Sequence, residues 1–77
     1  MNTDIIKINI LEVASELAEL HLIRDYTELN KNKTEDEIEA MIWVEDEGEV
    51  LIYTEHAQNH FNILYDLYYS LLENLAL

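Results

Sequence analysis

The fold is decided by residues 37–54, which read EIEAMIWVEDEGEVLIYT. Two runs rich in β-branched and aromatic residues, the types that favour strands, flank the sequence Asp46-Glu47-Gly48. Gly48 is the only glycine of the chain, and glycine readily adopts the left-handed backbone that a three-residue hairpin loop requires. The stretch therefore predicts a β-hairpin over residues 37–54, with Asp46, Glu47 and Gly48 as its loop.

This loop also predicts which residues face one another across the hairpin. The four expected pairs are Glu45 with Glu49, Val44 with Val50, Ile42 with Ile52, and Met41 with Tyr53. Because side chains alternate along a strand, the hairpin has two apolar faces. One face holds Ala40, Ile42, Val44, Val50 and Ile52, and the other holds Met41, Trp43, Leu51 and Tyr53. One face can pack on helices, which leaves the other free for a different contact.

Amphipathic patterns on both sides of the hairpin predict helices. A first helix is expected over residues 4–23, although the β-branched run 5–10 leaves a short initial strand open. Its apolar stripe is Ile6, Ile10, Val13, Leu17 and Leu20. A second helix is expected over residues 55–76, after Thr54 as N-cap. Its apolar stripe is Ala57, Phe61, Leu64, Tyr68, Leu71 and Leu75.

Between the first helix and the hairpin, residues 24–34 are the most polar stretch and predict a loop. Thr34 with Glu37 three residues later fits a capping box, so a brief helical turn is expected there. With 77 residues the chain forms one small domain. The predicted class is α+β in the order α–β–β–α, with two amphipathic helices packed on one face of the hairpin.

The charge is strongly negative and unevenly distributed. The chain has 17 acids and 4 bases, a net charge of −13, and residues 34–77 hold 11 of the acids and no base. Direct binding to nucleic acid or to an anionic membrane is therefore disfavoured by like charge. Cysteine is absent, which excludes a disulfide scaffold and a cysteine-ligated zinc site.

Eight carboxylates fall within the fifteen residues 35–49. Rows of carboxylates can imitate DNA phosphates and compete for Lys and Arg grooves. Glu45 facing Glu49 is unfavourable for folding, and such conflicts are expected where function overrides stability. Helix capping and a solvated hairpin tip are the alternative interpretations of these charges. The predicted partner-binding residues are Glu35, Asp36, Glu37, Glu39, Glu45, Asp46, Glu47, Glu49, Trp43 and Tyr53.

Trp43 and Tyr53 belong to that set because aromatic residues are enriched at interface cores, with burial in the protein's own core as the alternative. His56 and His60 are four apart on the second helix, but two histidines without a third ligand do not predict a metal site. The sequence shows no nucleophile elbow and no phosphate-binding glycine loop. We therefore expect no enzymatic activity, no metal and no cofactor.

The acid cluster Glu35-Asp36-Glu37, Glu39, Glu45-Asp46-Glu47 and Glu49, together with the base-free second half, resembles in size and composition the small acidic phage proteins that mimic DNA. These include anti-CRISPR and anti-restriction inhibitors. The resemblance implies a basic partner that handles nucleic acid, such as a CRISPR effector, a restriction enzyme or a repair enzyme. It implies inhibition by steric and electrostatic blockade of DNA binding.

A second hypothesis is an acidic protein–protein interaction module, for example a homodimer, an antitoxin or a regulatory subunit. It would use the apolar hairpin face and the second helix, and its acidity would serve solubility. The N-terminal stretch lacks a secretory signal pattern. The expected location is the cytoplasm, that of the host if a phage encodes the protein.

Overall fold

The computed structural model describes residues 3–76, and the burial of side chains from Asn9 to Leu75. In chain order the elements are α1 (Thr3–Leu29), α2 (Glu35–Ile42), β1 (Trp43–Asp46), β2 (Val50–Tyr53) and α3 (Glu55–Ala76). The α+β class and the order α–β–β–α are confirmed, with α2 as a third, short helix before the hairpin. Within residues 3–76 no helix has both the length and the apolarity needed to cross a membrane.

Helix α1 is longer than the sequence pattern predicts. It starts at Thr3, so the run 5–10 is helical and no initial strand forms. The predicted loop 24–34 is wrong for residues 24–29, which continue α1. They contain no Gly or Pro to stop a helix. Although these residues are mostly polar, one side of the segment is packed: Tyr26 lies against the core, and Asp25 is hydrogen-bonded to His60 of α3.

Helix α2 takes the place of the first part of the predicted hairpin. The capping box is confirmed: Glu37 N–H donates to Thr34 Oγ1, and Thr34 N–H donates to the Glu37 carboxylate. The prediction of a hairpin from residue 37 is wrong, because the strands begin only at Trp43. Ile38 and Ile42 are four residues apart, a helical spacing, and both are buried.

The hairpin register also differs from the prediction. The observed pairs are Trp43 with Tyr53, Val44 with Ile52, Glu45 with Leu51, and Asp46 with Val50. The loop is Glu47, Gly48 and Glu49, one residue later than expected. Positive φ angles occur at both Glu47 (48°) and Gly48 (94°), so glycine is the second of two left-handed residues. The shift moves every pair by two residues and therefore leaves the two faces of the strands as predicted.

The core lies between α1 and α3, which run antiparallel: His21 contacts Tyr68, and Asp25 contacts His60. The buried side chains among those described are Ala14, Ala18, Leu22, Ile38, Ile42, Ala57 and Leu64. The predicted stripes are therefore partly wrong. Val13, Leu20, Leu71 and Leu75 are exposed. Small alanines, Ala14 and Ala18, are the fully buried residues of α1 beside Leu22, and the large rings of α3 pack on the edge of the core.

Thr54 joins three elements at the base of the hairpin. Its backbone N–H donates to Ile42 O at 2.8 Å, and its hydroxyl donates to Met41 O at 2.8 Å. The same hydroxyl accepts from Ala57 N–H at 3.3 Å, which confirms Thr54 as the N-cap of α3. Thr54 thus links the end of α2 to the end of β2 and the start of α3.

The substitution Thr54→Ala should lower the free energy of unfolding by about 1–2 kcal/mol, because an N-cap and the contact with Met41 are lost together. Urea denaturation followed by circular dichroism measures the change. Thr27→Ala is the matched control, since the Thr27 hydroxyl donates only to Ile23 O in its own helix at 2.8 Å. The control should stay within about 0.5 kcal/mol of wild type. Equal effects would contradict the assigned role of Thr54.

Candidate functional site

Carboxylates from two separate clusters of the sequence line one open groove, which we call the acidic groove. It has a volume of about 280 Å³ and is lined by Asp36, Glu39, Ala40, Trp43, Glu45 and Leu51. All three carboxylates are exposed. Residues 34–77 contain no Lys or Arg, and the base that lies near these carboxylates is Lys33, which lines the adjoining groove together with Glu39.

The secondary structure explains why these side chains converge. Asp36 and Glu39 are three apart on α2, a spacing that puts them on the same side of the helix. Trp43 and Glu45 are two apart on β1, which puts them on the same face of the strand. Leu51 pairs with Glu45 across the hairpin and adds to that face. The chain passes directly from α2 into β1, so the helix side and the strand face meet in one groove.

The other predicted acids lie elsewhere. Glu35 lines a neighbouring groove of about 420 Å³ between α1 and α2, together with Glu39 and Trp43. Asp46, Glu47 and Glu49 lie at the exposed hairpin tip and do not line the acidic groove. Three of the eight acids therefore form a groove set (Asp36, Glu39 and Glu45) and three form a tip set (Asp46, Glu47 and Glu49). Glu35 lines the neighbouring groove, and Glu37 belongs to the capping box.

The predicted pairing of Glu45 with Glu49 is wrong, because Glu45 faces Leu51 and Glu49 is in the loop. The local conflict is found instead at Glu47. Its φ of 48° lies in the left-handed region, which residues other than Gly, Asn and Asp rarely adopt. The hairpin loop therefore contains Glu47 in a backbone conformation that is unfavourable for glutamate.

Glu37 has a structural role. Its carboxylate accepts a hydrogen bond from Thr34 N–H at 2.9 Å. This bond, and then the one involving the Thr34 side chain, lower the pKa of Glu37 below its ordinary value of 4.5. Capping, the alternative interpretation of the α2 acids, is therefore the observed role of this one residue.

Trp43 and Tyr53 connect the hairpin to the helices. Their rings stack with centroids 6.1 Å apart, and Tyr53 stacks in turn on Phe61 of α3 at 5.1 Å. The Tyr53 hydroxyl donates to Glu19 of α1 at 2.8 Å, and burial followed by this bond raises the pKa of Tyr53. Both residues are partly buried and packed against the core. Trp43 also lines both grooves, so it supports the core and is accessible at the site.

A cluster of histidines around Asp25 is the polar feature that the sequence pattern misses. Asp25 accepts from His60 at 2.8 Å and lies 3.4 Å from His21, whose other ring nitrogen bonds to the Tyr68 hydroxyl at 2.9 Å. His60 and His56 both line a third groove, together with Asp25. Among the described residues no group of three or more His, Asp or Glu is arranged to hold a metal ion. The spacing of His21 and Asp25, four apart on α1, is the one local signal for this cluster.

Comparison of the chain with protein-family models, curated proteins and solved structures finds no match.

Acidification should remove the contribution of Glu37 to stability. A folded-state pKa below the unfolded value stabilises the fold above the unfolded pKa, and this is lost as the pH falls through the folded pKa. Wild type should therefore be more stable than Glu37→Gln at pH 7, and the difference in stability should shrink as the pH falls below 4.5, the ordinary pKa of the carboxyl. Urea midpoints of the two proteins from pH 7 to pH 3 measure this.

Glu35→Gln is the control, because it removes one charge from the same helical turn and leaves the bond between Thr34 and Glu37 in place. The difference in urea midpoint between Glu35→Gln and wild type should change less with pH. A difference between wild type and Glu37→Gln that persists unchanged at pH 3 would contradict the role of the ionised carboxylate.

Proposed function

We propose that the protein is an inhibitor that binds a basic, nucleic-acid-handling protein, a CRISPR effector or similar defence enzyme. It blocks DNA binding by charge mimicry and steric occlusion. The observation that carries this proposal is the acidic groove, where Asp36, Glu39 and Glu45 converge beside the aromatic ring of Trp43. We place its action in the cytoplasm, that of the host if a phage encodes it.

The groove has the chemistry that arginine and lysine side chains need. Carboxylates accept hydrogen bonds from a guanidinium in a bidentate manner, and the face of a tryptophan ring attracts a cation. Trp43 lies on the same strand face as Glu45 and lines the same groove, so we propose that one arginine makes both contacts. A DNA-binding channel presents many such side chains, which phosphates otherwise contact.

The tip set extends the same charge outward. Asp46, Glu47 and Glu49 are exposed at the end of the hairpin, where they can enter a channel before the groove residues make contact. Opposite charge accelerates encounter and is screened by salt. The tip thus serves recognition, and the groove with its aromatic ring serves retention.

Reversing the tip and one groove acid should abolish inhibition. The variant Glu45→Lys, Asp46→Lys, Glu47→Lys, Glu49→Lys changes the net charge from −13 to −5. A DNA mobility-shift assay with a guide-loaded CRISPR effector or a restriction enzyme, titrated with the protein, measures the inhibition. Wild type should release the DNA, and less so as salt is raised, whereas the variant should lose at least about 100-fold in potency.

The matched control reverses four exposed acids on the helices: Glu12→Lys, Glu16→Lys, Asp66→Lys and Glu73→Lys. It has the same net charge of −5 and should inhibit close to wild type. Equal loss in both variants would show that only bulk charge matters. Full inhibition by the hairpin variant, with its helical circular dichroism intact, would exclude the hairpin acids as the working surface.

An interaction module is the second candidate function, and one observation favours it. The hairpin face turned away from Trp43 carries Val44, Val50 and Ile52, and all three are exposed. Binding through that face should not change when the groove acids are reversed. It should also persist in high salt, whereas binding by charge mimicry should weaken there. The salt dependence of binding therefore distinguishes the two functions.

A further inference from the structure

The neighbouring groove between α1 and α2, which we call the α1–α2 groove, adjoins the acidic groove and has a more apolar lining. It has a volume of about 420 Å³. Its apolar lining is Ile23 of α1, Ile38 and Ile42 of α2, and Trp43, and Thr27 of α1 adds to one wall. Volumes of ~300–1,000 Å³ are typical of sites that enclose a ligand. The groove is therefore large enough to take an apolar side chain from a binding partner.

Helical spacing explains how this lining forms. Ile23 and Thr27 are four apart on α1, and Ile38 and Ile42 are four apart on α2, so each pair lies on one side of its helix. Ile38 and Ile42 are buried below the groove, whereas Ile23 and Trp43 are half-buried and Thr27 is exposed. The walls of the groove thus offer apolar surface that a ligand can reach.

Glu39 and Trp43 separate the α1–α2 groove from the acidic groove. Both residues line both grooves, and the Trp43 backbone N–H donates to the Glu39 carbonyl at the end of α2. Residues four apart on a helix lie one above the other, about 6 Å apart along the axis. The two side chains therefore form a ridge about one helical turn long, with one groove on each side.

The charges differ on the two sides of this ridge. The acidic groove adds Asp36 and Glu45 to Glu39, and none of the residues that line it is a base. The lining of the α1–α2 groove includes Lys33 as well as Glu35. Because like charges repel, Lys33 disfavours a second cation on its side of the ridge. A basic side chain is therefore favoured in the acidic groove, and an apolar one in the α1–α2 groove.

We propose that the two grooves together bind an extended segment of the basic partner in which basic and apolar residues alternate. This inference rests on the proposed function and adds an apolar requirement that charge mimicry alone does not have. Successive side chains of an extended chain point to opposite sides, and two residues span about 6.6 Å, which matches the ridge. A segment lying along the ridge places arginine or lysine among the carboxylates and an apolar side chain against Ile23 and Trp43.

Isothermal titration calorimetry of the wild-type protein with two blocked synthetic peptides tests the proposal. In one peptide arginine and leucine alternate, and in the other alanine replaces each leucine, so length and charge are equal. The leucine peptide should bind at least about 10-fold more tightly, because burial of leucine stabilises the complex. Its heat capacity change of binding should also be more negative, as apolar burial requires. Equal affinities for the two peptides would overturn the proposal.

Thr27→Phe tests whether the leucines occupy the α1–α2 groove. Thr27 is exposed, and its hydroxyl donates to Ile23 O within α1, so the new ring should fill the groove without unfolding the helix. The two peptides should then bind about equally well. Thr27→Lys, which places a charge in the same groove, should act the same way and carries the test if Thr27→Phe loses its helicity.

Ser15→Phe and Ser15→Lys are the matched controls. Ser15 is an exposed residue of the same helix and lines neither groove, and it lies about 18 Å along the axis from Thr27. Both control variants should keep the tighter binding of the leucine peptide. Loss of this preference in variants at both positions, or at neither, would overturn the proposal.

The ratio of the two peptide affinities separates this inference from the inhibition itself. Salt should weaken the binding of both peptides by screening their arginines, and should leave the ratio nearly unchanged because the leucine contact carries no charge. If the protein inhibits DNA binding but the two peptides bind equally, charge mimicry stands and the apolar contact is excluded. If the preference for leucine and its loss in Thr27→Phe are seen in a protein that does not inhibit, the binding site stands and the proposed function fails.

Discussion

The close contact of α1 with α3 is the interaction on which the rest of the structure depends. Alanines at 14, 18 and 57 are fully buried in this contact, and small side chains allow two helices to approach closely. The larger rings of α3 then lie at the edge of the pair. They form the row Phe61, Tyr65 and Tyr69, on which Tyr53 stacks. The hairpin is therefore held to α3 by the stacking of Tyr53 on Phe61 and to α1 by the hydrogen bond from Tyr53 to Glu19.

This arrangement gives the molecule two unlike sides. The hairpin side carries the acidic groove and the projecting tip, whereas α3 also exposes the apolar side chains of Ile63, Leu67 and Leu71. Concentrated negative charge destabilises a compact chain through self-repulsion, and the small core has little stability with which to offset it. We propose that this charge is retained because it binds a basic protein.

Local signals in the sequence predict local structure well and tertiary placement poorly. The bounds of α3 and the Thr34–Glu37 capping box follow from patterns that operate within one helical turn. The predicted register is wrong because the single glycine fits two positions in a three-residue loop, and a left-handed backbone at Glu47 is not predictable from its residue type. The hydrogen bond of Asp25 with His60, and the shared groove of Asp36 and Glu45, depend on packing between elements. No spacing along the chain could have revealed them.

Trp43 gives the molecule a built-in optical probe. It is the only tryptophan, it lines the acidic groove, and its ring stacks on Tyr53. The emission of an indole ring responds to the polarity and the charges around it. A guanidinium seated on this ring would replace water and change the local field at once. The intrinsic fluorescence of the unlabelled chain is therefore a direct readout of whether the groove is occupied.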